Sequence, residues 1–218
     1  MSYLSYLRFF RFNPLLGLLC LYDEMRGERK FGLHTTGFQK AAGTAVHPAA
    51  AHAYGYMPSN YVLLQRLFTE INRYPHNRCM LDMGCGKGRA MIVAAAAGFE
   101  QISGIELDPA LCEEALELIK QKAASFPHTS FTLTCGDAAA HRIDERLQVL
   151  FLYNPFMETI MRAVVSNIFE SLRHSPRPFW VIYVNPVLEE VFLDAGFKNI
   201  YRTERFGYLK ACLLFLSS

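Results

Sequence analysis

The stretch Leu-Asp-Met-Gly-Cys-Gly-Lys-Gly-Arg-Ala at residues 81–90 sets three glycines at alternate positions directly after a short apolar run. Glycines between a strand and a helix let bare backbone approach a ligand, with the free N–H groups of the helix start pointing at it. The spacing Gly84, Gly86, Gly88 narrows the choice of ligand. A dinucleotide fingerprint, G-x-G-x-x-G, needs its third glycine at position 89, which is Arg89. A phosphate loop needs Gly-Lys followed by Ser or Thr, and here Lys87 precedes Gly88. Asp82 would repel a pyrophosphate and suits a ligand carrying an ammonium and a sulfonium. Glu106 lies about 20 residues beyond the loop, where an acid binds ribose hydroxyls. Asp137, within Cys-Gly-Asp-Ala-Ala, can accept a hydrogen bond from an exocyclic amine such as adenine N6.

These residues need elements that bring them to one edge. Cys79–Met83 reads as a short buried strand, and the alanine-rich run closed by Gly98 reads as a helix. The segment from Gln101 to Leu107 is a second strand, and Asp108-Pro109 opens the next helix with a cap and a first-turn proline. Strands around Phe131–Cys135, Leu147–Tyr153 and Phe179–Val184 alternate with helices over Met157–Leu172 and Val187–Gly196. The last segment reads as two strands joined near Phe206-Gly207. The expected fold class is α/β: a doubly wound, mostly parallel seven-stranded sheet with a C-terminal antiparallel hairpin and an N-terminal helical extension. Asp82, Glu106 and Asp137 then stand at the carboxyl ends of three successive strands, where such sheets bind ligands.

Asp82 to Gly88, Glu106 and Gly136-Asp137-Ala138 resemble the motifs of the class I, Rossmann-like S-adenosylmethionine (SAM) methyltransferases, over about residues 59–216. The resemblance implies SAM as cofactor. Asp82 and the glycines Gly84, Gly86 and Gly88 would flank its methionine part, Glu106 hold the ribose, and Asp137 with the Ala138 backbone hold the adenine. Tyr-Met-Pro-Ser-Asn-Tyr at 56–61, leading to the glycine loop, is similar to the non-SET histone-lysine methyltransferases and the protein-lysine methyltransferases near them. There a Pro-Ser turn helps cover the cofactor, which makes Tyr56 and Ser59 lid residues. His-Thr-Thr-Gly at 34–37, Leu-Phe-Leu-Tyr-Asn-Pro-Phe and Val-Ile-Tyr-Val-Asn-Pro resemble a bacterial branch of that superfamily whose acceptor is unassigned.

On the acceptor side, Tyr153-Asn154-Pro155-Phe156 resembles the [DN]-P-P-[YF] motif of amine methyltransferases but has one proline instead of two. By that likeness Asn154 is a candidate catalytic residue and Phe156 packs on the acceptor, with Tyr153 at the same strand end as the second catalytic candidate; contact of Asn154 with the cofactor, or a plain Asn-Pro turn, are the alternative readings. Tyr183 and Asn185 occupy similar strand ends, and Thr36 is a further lid candidate. His34, His47 and His52 fall in an irregular connector and read as solvent-exposed loop residues before they read as a base.

The rest of the chain bounds the interpretation. With 218 residues, 51% hydrophobic and 19% charged, it suits one SAM-binding domain at 59–218 behind an N-terminal helical cap and connector at 1–58. A net charge of +2 with scattered Lys and Arg predicts no nucleic-acid stripe. Six cysteines without metal spacing predict no metal site and no disulfide framework, with Cys79, Cys135 and Cys212 packing as reduced thiols in a cytoplasmic protein. The apolar run Leu15–Tyr22 is about a third of a membrane span. Residues 1–30 read as one or two amphipathic helices broken near Asn13-Pro14, packed on the domain, with membrane-surface contact through Phe9, Phe10, Phe12 and the arginines as the alternative. The activity expected is methyl transfer to an amine, a protein lysine first and a small-molecule amine second. A SAM-binding sensor or scaffold without turnover, and less so an NAD(P)-dependent oxidoreductase, are the rivals.

Overall fold

The computed structural model describes residues 13–38, 55–153 and 155–217. Asn13 caps the helix α1 (Pro14–Phe31), its side chain accepting from the Leu16 N–H, and Gly32 ends it in the left-handed conformation. Helix α2 (Tyr61–Ile71) leads into β1 (Cys79–Met83), followed by α3 (Arg89–Ala96), β2 (Gln101–Glu106) and α4 (Pro109–Lys122). Then come β3 (Ser130–Cys135), β4 (Val149–Tyr153), α5 (Glu158–His174), β5 (Phe179–Val184), α6 (Glu189–Asp194), β6 (Lys198–Arg205) and β7 (Leu209–Leu216).

The seven strands are ordered β3-β2-β1-β4-β5-β7-β6. β1 to β5 pair in parallel, and β7 slots in antiparallel between β5 and β6. Alternation along the strands builds a core on each face: Met80 packs with Leu64, Phe68 and Met91 on one side, its neighbour Leu81 with Val164, Ile168 and Phe192 on the other. β1, β4 and β5, covered on both faces, are nearly continuous apolar runs. β1 and β4 are adjacent although β2 and β3 intervene in sequence. The order therefore reverses beside β1, and a crevice opens at its carboxyl end.

Two expectations change. The thiols of Cys112, on the first turn of α4, and Cys135, at the end of β3, are joined in a disulfide with Cα atoms 6.0 Å apart. Helix α4 runs back over β3 and brings together two cysteines 23 residues apart, a separation that carries no sequence signal. Cys20, Cys79, Cys85 and Cys212 are free and buried. The second change concerns α1, which packs on the domain with its polarity reversed. Gly17, Cys20, Asp23, Glu24, Gly27 and Glu28 face inward, while Leu15, Leu18, Tyr22 and Met25 face out. The acids are accepted inside because arginines meet them: Arg205 pairs with Asp23, and Arg89 with Glu24. No described helix is long and apolar enough to cross a membrane.

Glycine fixes how closely α1 docks. A Cβ at Gly27 would lie 2.1 Å from the Tyr61 ring at the start of α2. Gly27→Val should therefore lever α1 off α2, costing about 1–3 kcal/mol. The check is urea denaturation. An unchanged midpoint would show that this contact does not hold the helix.

Candidate functional site

The glycine loop bends off the end of β1 with Gly84, Gly86 and Gly88 at φ of +81°, +54° and +80°, a region that other residues rarely adopt. The Gly84 and Cys85 N–H groups donate to the Ile105 carbonyl at 2.9 and 3.0 Å, so the loop is tied to β2. Close approach also explains two of the glycines. A Cβ on Gly84 would come within 2.6 Å of Pro155, and one on Gly86 within 2.5 Å of the Tyr56 ring. Gly88 serves differently. It turns the chain into α3 beside Ala115 of α4 and does not line the cavity, contrary to its expected place on the ligand.

Around the loop lies a cavity of about 410 Å³. Asp82, Gly84, Gly86, Glu106, Asp137 and Ala138 line it, together with Tyr56, Ser59, Tyr153 and Phe156. The size and the mixed lining fit a small-molecule site. Glu106 is held in place by backbone N–H groups. Its Oε2 accepts from Gly86 at 2.8 Å, and Oε1 accepts from Leu107 and Asp108, both at 2.9 Å. Burial pushes its carboxyl upward and these three N–H groups pull it back. Asp137 Oδ1 caps the following turn by accepting from Ala139 at 2.9 Å.

Asp82 stands apart. It is 2% exposed, and its Oδ2 is buried without a hydrogen-bond partner. Burial, with the charge of Glu106 behind it, raises this carboxyl well above the usual range. A buried oxygen left orphaned in a cavity wall implies a partner that arrives from the cavity. An ammonium supplies both the donor and the charge.

One side of the cavity is roofed by a segment that α1 holds. Arg89, at the start of α3, is 3% exposed and spans the gap. Its Nε donates to Thr35 Oγ1 at 2.7 Å, and Nη1 donates to Glu24 Oε2 at 2.9 Å and to the Ser59 carbonyl at 2.8 Å. Nη2 meets Glu24 Oε1, and the guanidinium lies over the Tyr61 ring, 4.1 Å from its centroid. Burial alone would lower the Arg89 pKa, but the Glu24 carboxylate, its hydrogen bond and the phenols of Tyr61 and Tyr56 together outweigh it and hold the cation. Tyr56, whose ring covers Gly86, donates its hydroxyl to the Thr35 carbonyl at 2.6 Å. The path from Glu24 through Arg89 and Thr35 to Tyr56 therefore fixes the lid over the glycine loop. Sequence reading missed Glu24 and Arg89, since neither spacing nor residue type pairs positions 65 apart.

Tyr153 and Asn185 line the cavity, and burial raises the Tyr153 phenol so that it stays protonated. Asn185 holds a left-handed φ of +50° at the end of β5. Asn154 lies outside the described residues, as do His47 and His52. Tyr183 is fully buried, with its hydroxyl accepting from the Leu188 N–H, away from the cavity. Thr36 donates to Glu24 Oε1 at 2.6 Å and braces the network without lining the cavity. His34 is exposed. Among the described residues no His, Cys, Asp and Glu group could hold a metal.

No protein-family model matches the chain, and no curated protein does. Solved structures do. The chain is similar to an RNA methyltransferase from Salinibacter ruber in complex with S-adenosyl-L-homocysteine, at TM-score 0.56 and 17% identity over 74% of this chain and 95% of that one. It is similar to the glycopeptide N-methyltransferase MtfA at TM-score 0.55 and 15% identity, covering 71% and 94%. It is also similar to precorrin-6y C5,15-methyltransferase from Geobacter metallireducens at TM-score 0.56 and 13% identity, covering 74% and 90%. At such identities the likeness is one of architecture. The fold is the α/β, Rossmann-like methyltransferase fold, with the carboxyl-end crevice where this chain has its cavity.

Two outcomes follow from the buried charges. Asp82 binds a proton in the folded protein at pH values where the unfolded chain has lost it, so its contribution to stability declines as pH rises above the ordinary aspartate range. Asp82→Asn should therefore melt above the wild type at pH 8, with a difference that shrinks toward pH 4 and a slope of at most about 1.4 kcal/mol per pH unit. Scanning calorimetry across that range measures it, and a pH-independent difference would contradict the assignment. Glu24→Ala removes the carboxylate that meets two nitrogens of Arg89, leaving only Glu28 at 3.9 Å, and should cost about 3–5 kcal/mol in urea denaturation.

Proposed function

We propose that the cavity binds SAM and that the chain transfers the methyl group to an amine nitrogen, with a protein lysine favoured over a small-molecule amine. The observation that carries this reading is the unpartnered Asp82 oxygen at the foot of the glycine loop, one strand away from Glu106. A dinucleotide would set a pyrophosphate against that carboxylate, whereas an ammonium satisfies it. Asp82 would hold the ammonium, Glu106 the ribose hydroxyls, and Asp137 with the Ala138 backbone the adenine. When bound, SAM supplies an electrophilic methyl group on a sulfonium.

The chain's own part is alignment and exclusion of water. Tyr56 closes over Gly86, and Arg89 keeps it there through Thr35. Tyr153, protonated, can donate or accept a hydrogen bond but cannot serve as a phenolate base near neutral pH. An acceptor amine that arrives uncharged needs no strong base, and its surplus proton leaves to solvent after transfer. Residues 1–58 act as the cap on this site, and 59–218 as its SAM-binding domain. Asn154 and Phe156 belong on the acceptor side by their likeness to the amine-methyltransferase motif. Phe156 is buried against Gly84, its ring 3.9 Å from where a Cβ would stand.

Calorimetric titration with SAM, S-adenosylhomocysteine and NADH tests the cofactor. The two adenosyl ligands should bind and NADH should not. Gly86→Arg should lose affinity at least about 100-fold, because its side chain would enter the space of the Tyr56 ring. Binding of NADH alone, or of nothing, overturns the reading. A labelled-methyl screen over lysate proteins and small amines then identifies the acceptor, and binding without turnover on any pool would favour a sensor or scaffold.

A further inference from the structure

Helix α1 has an outer face that its own domain does not use. Leu15, Leu18, Tyr22 and Met25 recur at helical spacing and are 67%, 55%, 62% and 52% exposed. Arg26, beside Met25, and Arg29 continue the same stripe by one further turn. Both are exposed and form no ion pair among the described residues. All three acids of the helix, Asp23, Glu24 and Glu28, are turned inward. A helix that only packed on the domain would bury its leucines and expose its acids. Here buried ion pairs with Arg205 and Arg89 hold the acids inside, so that only apolar and cationic groups look out.

We infer that this face docks on an anionic lipid bilayer, the helix lying along the surface with its leucines in the boundary region and its arginines at the headgroups. The charge pattern selects this occupant. An apolar stripe with cations and no acid matches an apolar layer edged by negative charge. A second copy of the chain would set Arg26 and Arg29 against an equivalent face that offers no carboxylate from this helix. The sequence ahead of α1 has the same character, since residues 1–12 hold Arg8 and Arg11 as their only charged side chains and no acid. The contact is peripheral, because no described helix is long and apolar enough to cross a membrane.

The test is flotation of the full chain with vesicles of phosphatidylcholine alone and with about 30% phosphatidylglycerol, at low and high salt, beside three variants. The wild type should float with the anionic vesicles, weakly with the neutral ones, and less as salt rises. Arg26→Glu with Arg29→Glu should weaken binding roughly tenfold or more, and Leu18→Glu with Tyr22→Glu should abolish it. All four side chains are exposed, so melting temperatures within a few degrees of the wild type confirm that folding is intact. Absence of vesicle binding by the wild type overturns the inference. So does binding that both double variants keep. Binding that appears only after residues 1–12 are removed would mean that this segment occupies the face. A dimer that Leu18→Glu with Tyr22→Glu dissociates, without vesicle binding, would mean that a second copy does. Flotation requires neither cofactor nor turnover, so it stands or falls independently of the methyltransferase reading.

Discussion

A carboxylate in a low-dielectric cavity wall is tolerable only if it stays protonated or meets a positive partner, and Asp82 is under that constraint. Its neighbour Glu106, on the adjacent strand, worsens the repulsion while being satisfied by three backbone N–H groups. Asp82 has no such relief at Oδ2. The fold that places it there is specific. β1 must be central for the aspartate to be buried, and the order must reverse beside β1 for a crevice to open above it. The glycine loop must then leave backbone and no side chains in the space the ligand needs.

Arg89 shows the contrasting case. It is as buried as Asp82, yet its guanidinium meets Glu24, Thr35 and the Ser59 carbonyl. A buried charge that is fully partnered inside the chain does structural work, and one left open toward a cavity marks a ligand. Both stand on the same strand-loop-helix unit, seven residues apart. Arg89 ties the roof to the loop, and Asp82 waits at its foot. Helix α1 is thereby a component of the site's architecture through Glu24, while its Asp23 is held inward by Arg205 of β6.

Much of this was legible in the sequence because local chemistry dictated it. Cys79–Met83 could only be a buried strand, the loop spacing excluded two nucleotide motifs, and Glu106 and Asp137 fell at strand ends by simple alternation. The seven strands and their closing hairpin turn at Phe206-Gly207 also carry strong local signals. What was not legible depends on distant pairing. The reversed polarity of α1 requires knowing that Arg89 and Arg205 lie beneath it, and the disulfide requires that α4 lie back along β3. The inward turn of Tyr183 follows from strand parity and its packing against Phe192, whereas its neighbour Tyr153 on β4 faces the cavity.

The most direct measurement is the number of protons exchanged when SAM binds, obtained by calorimetry at one pH in buffers of different ionisation enthalpy. If the ligand's ammonium ionises Asp82, the wild type releases protons on binding and Asp82→Asn releases fewer by up to about one. Equal proton counts for the two proteins would show that Asp82 does not meet the ligand, and the assignment of this cavity to an aminoacyl-sulfonium cofactor would fail.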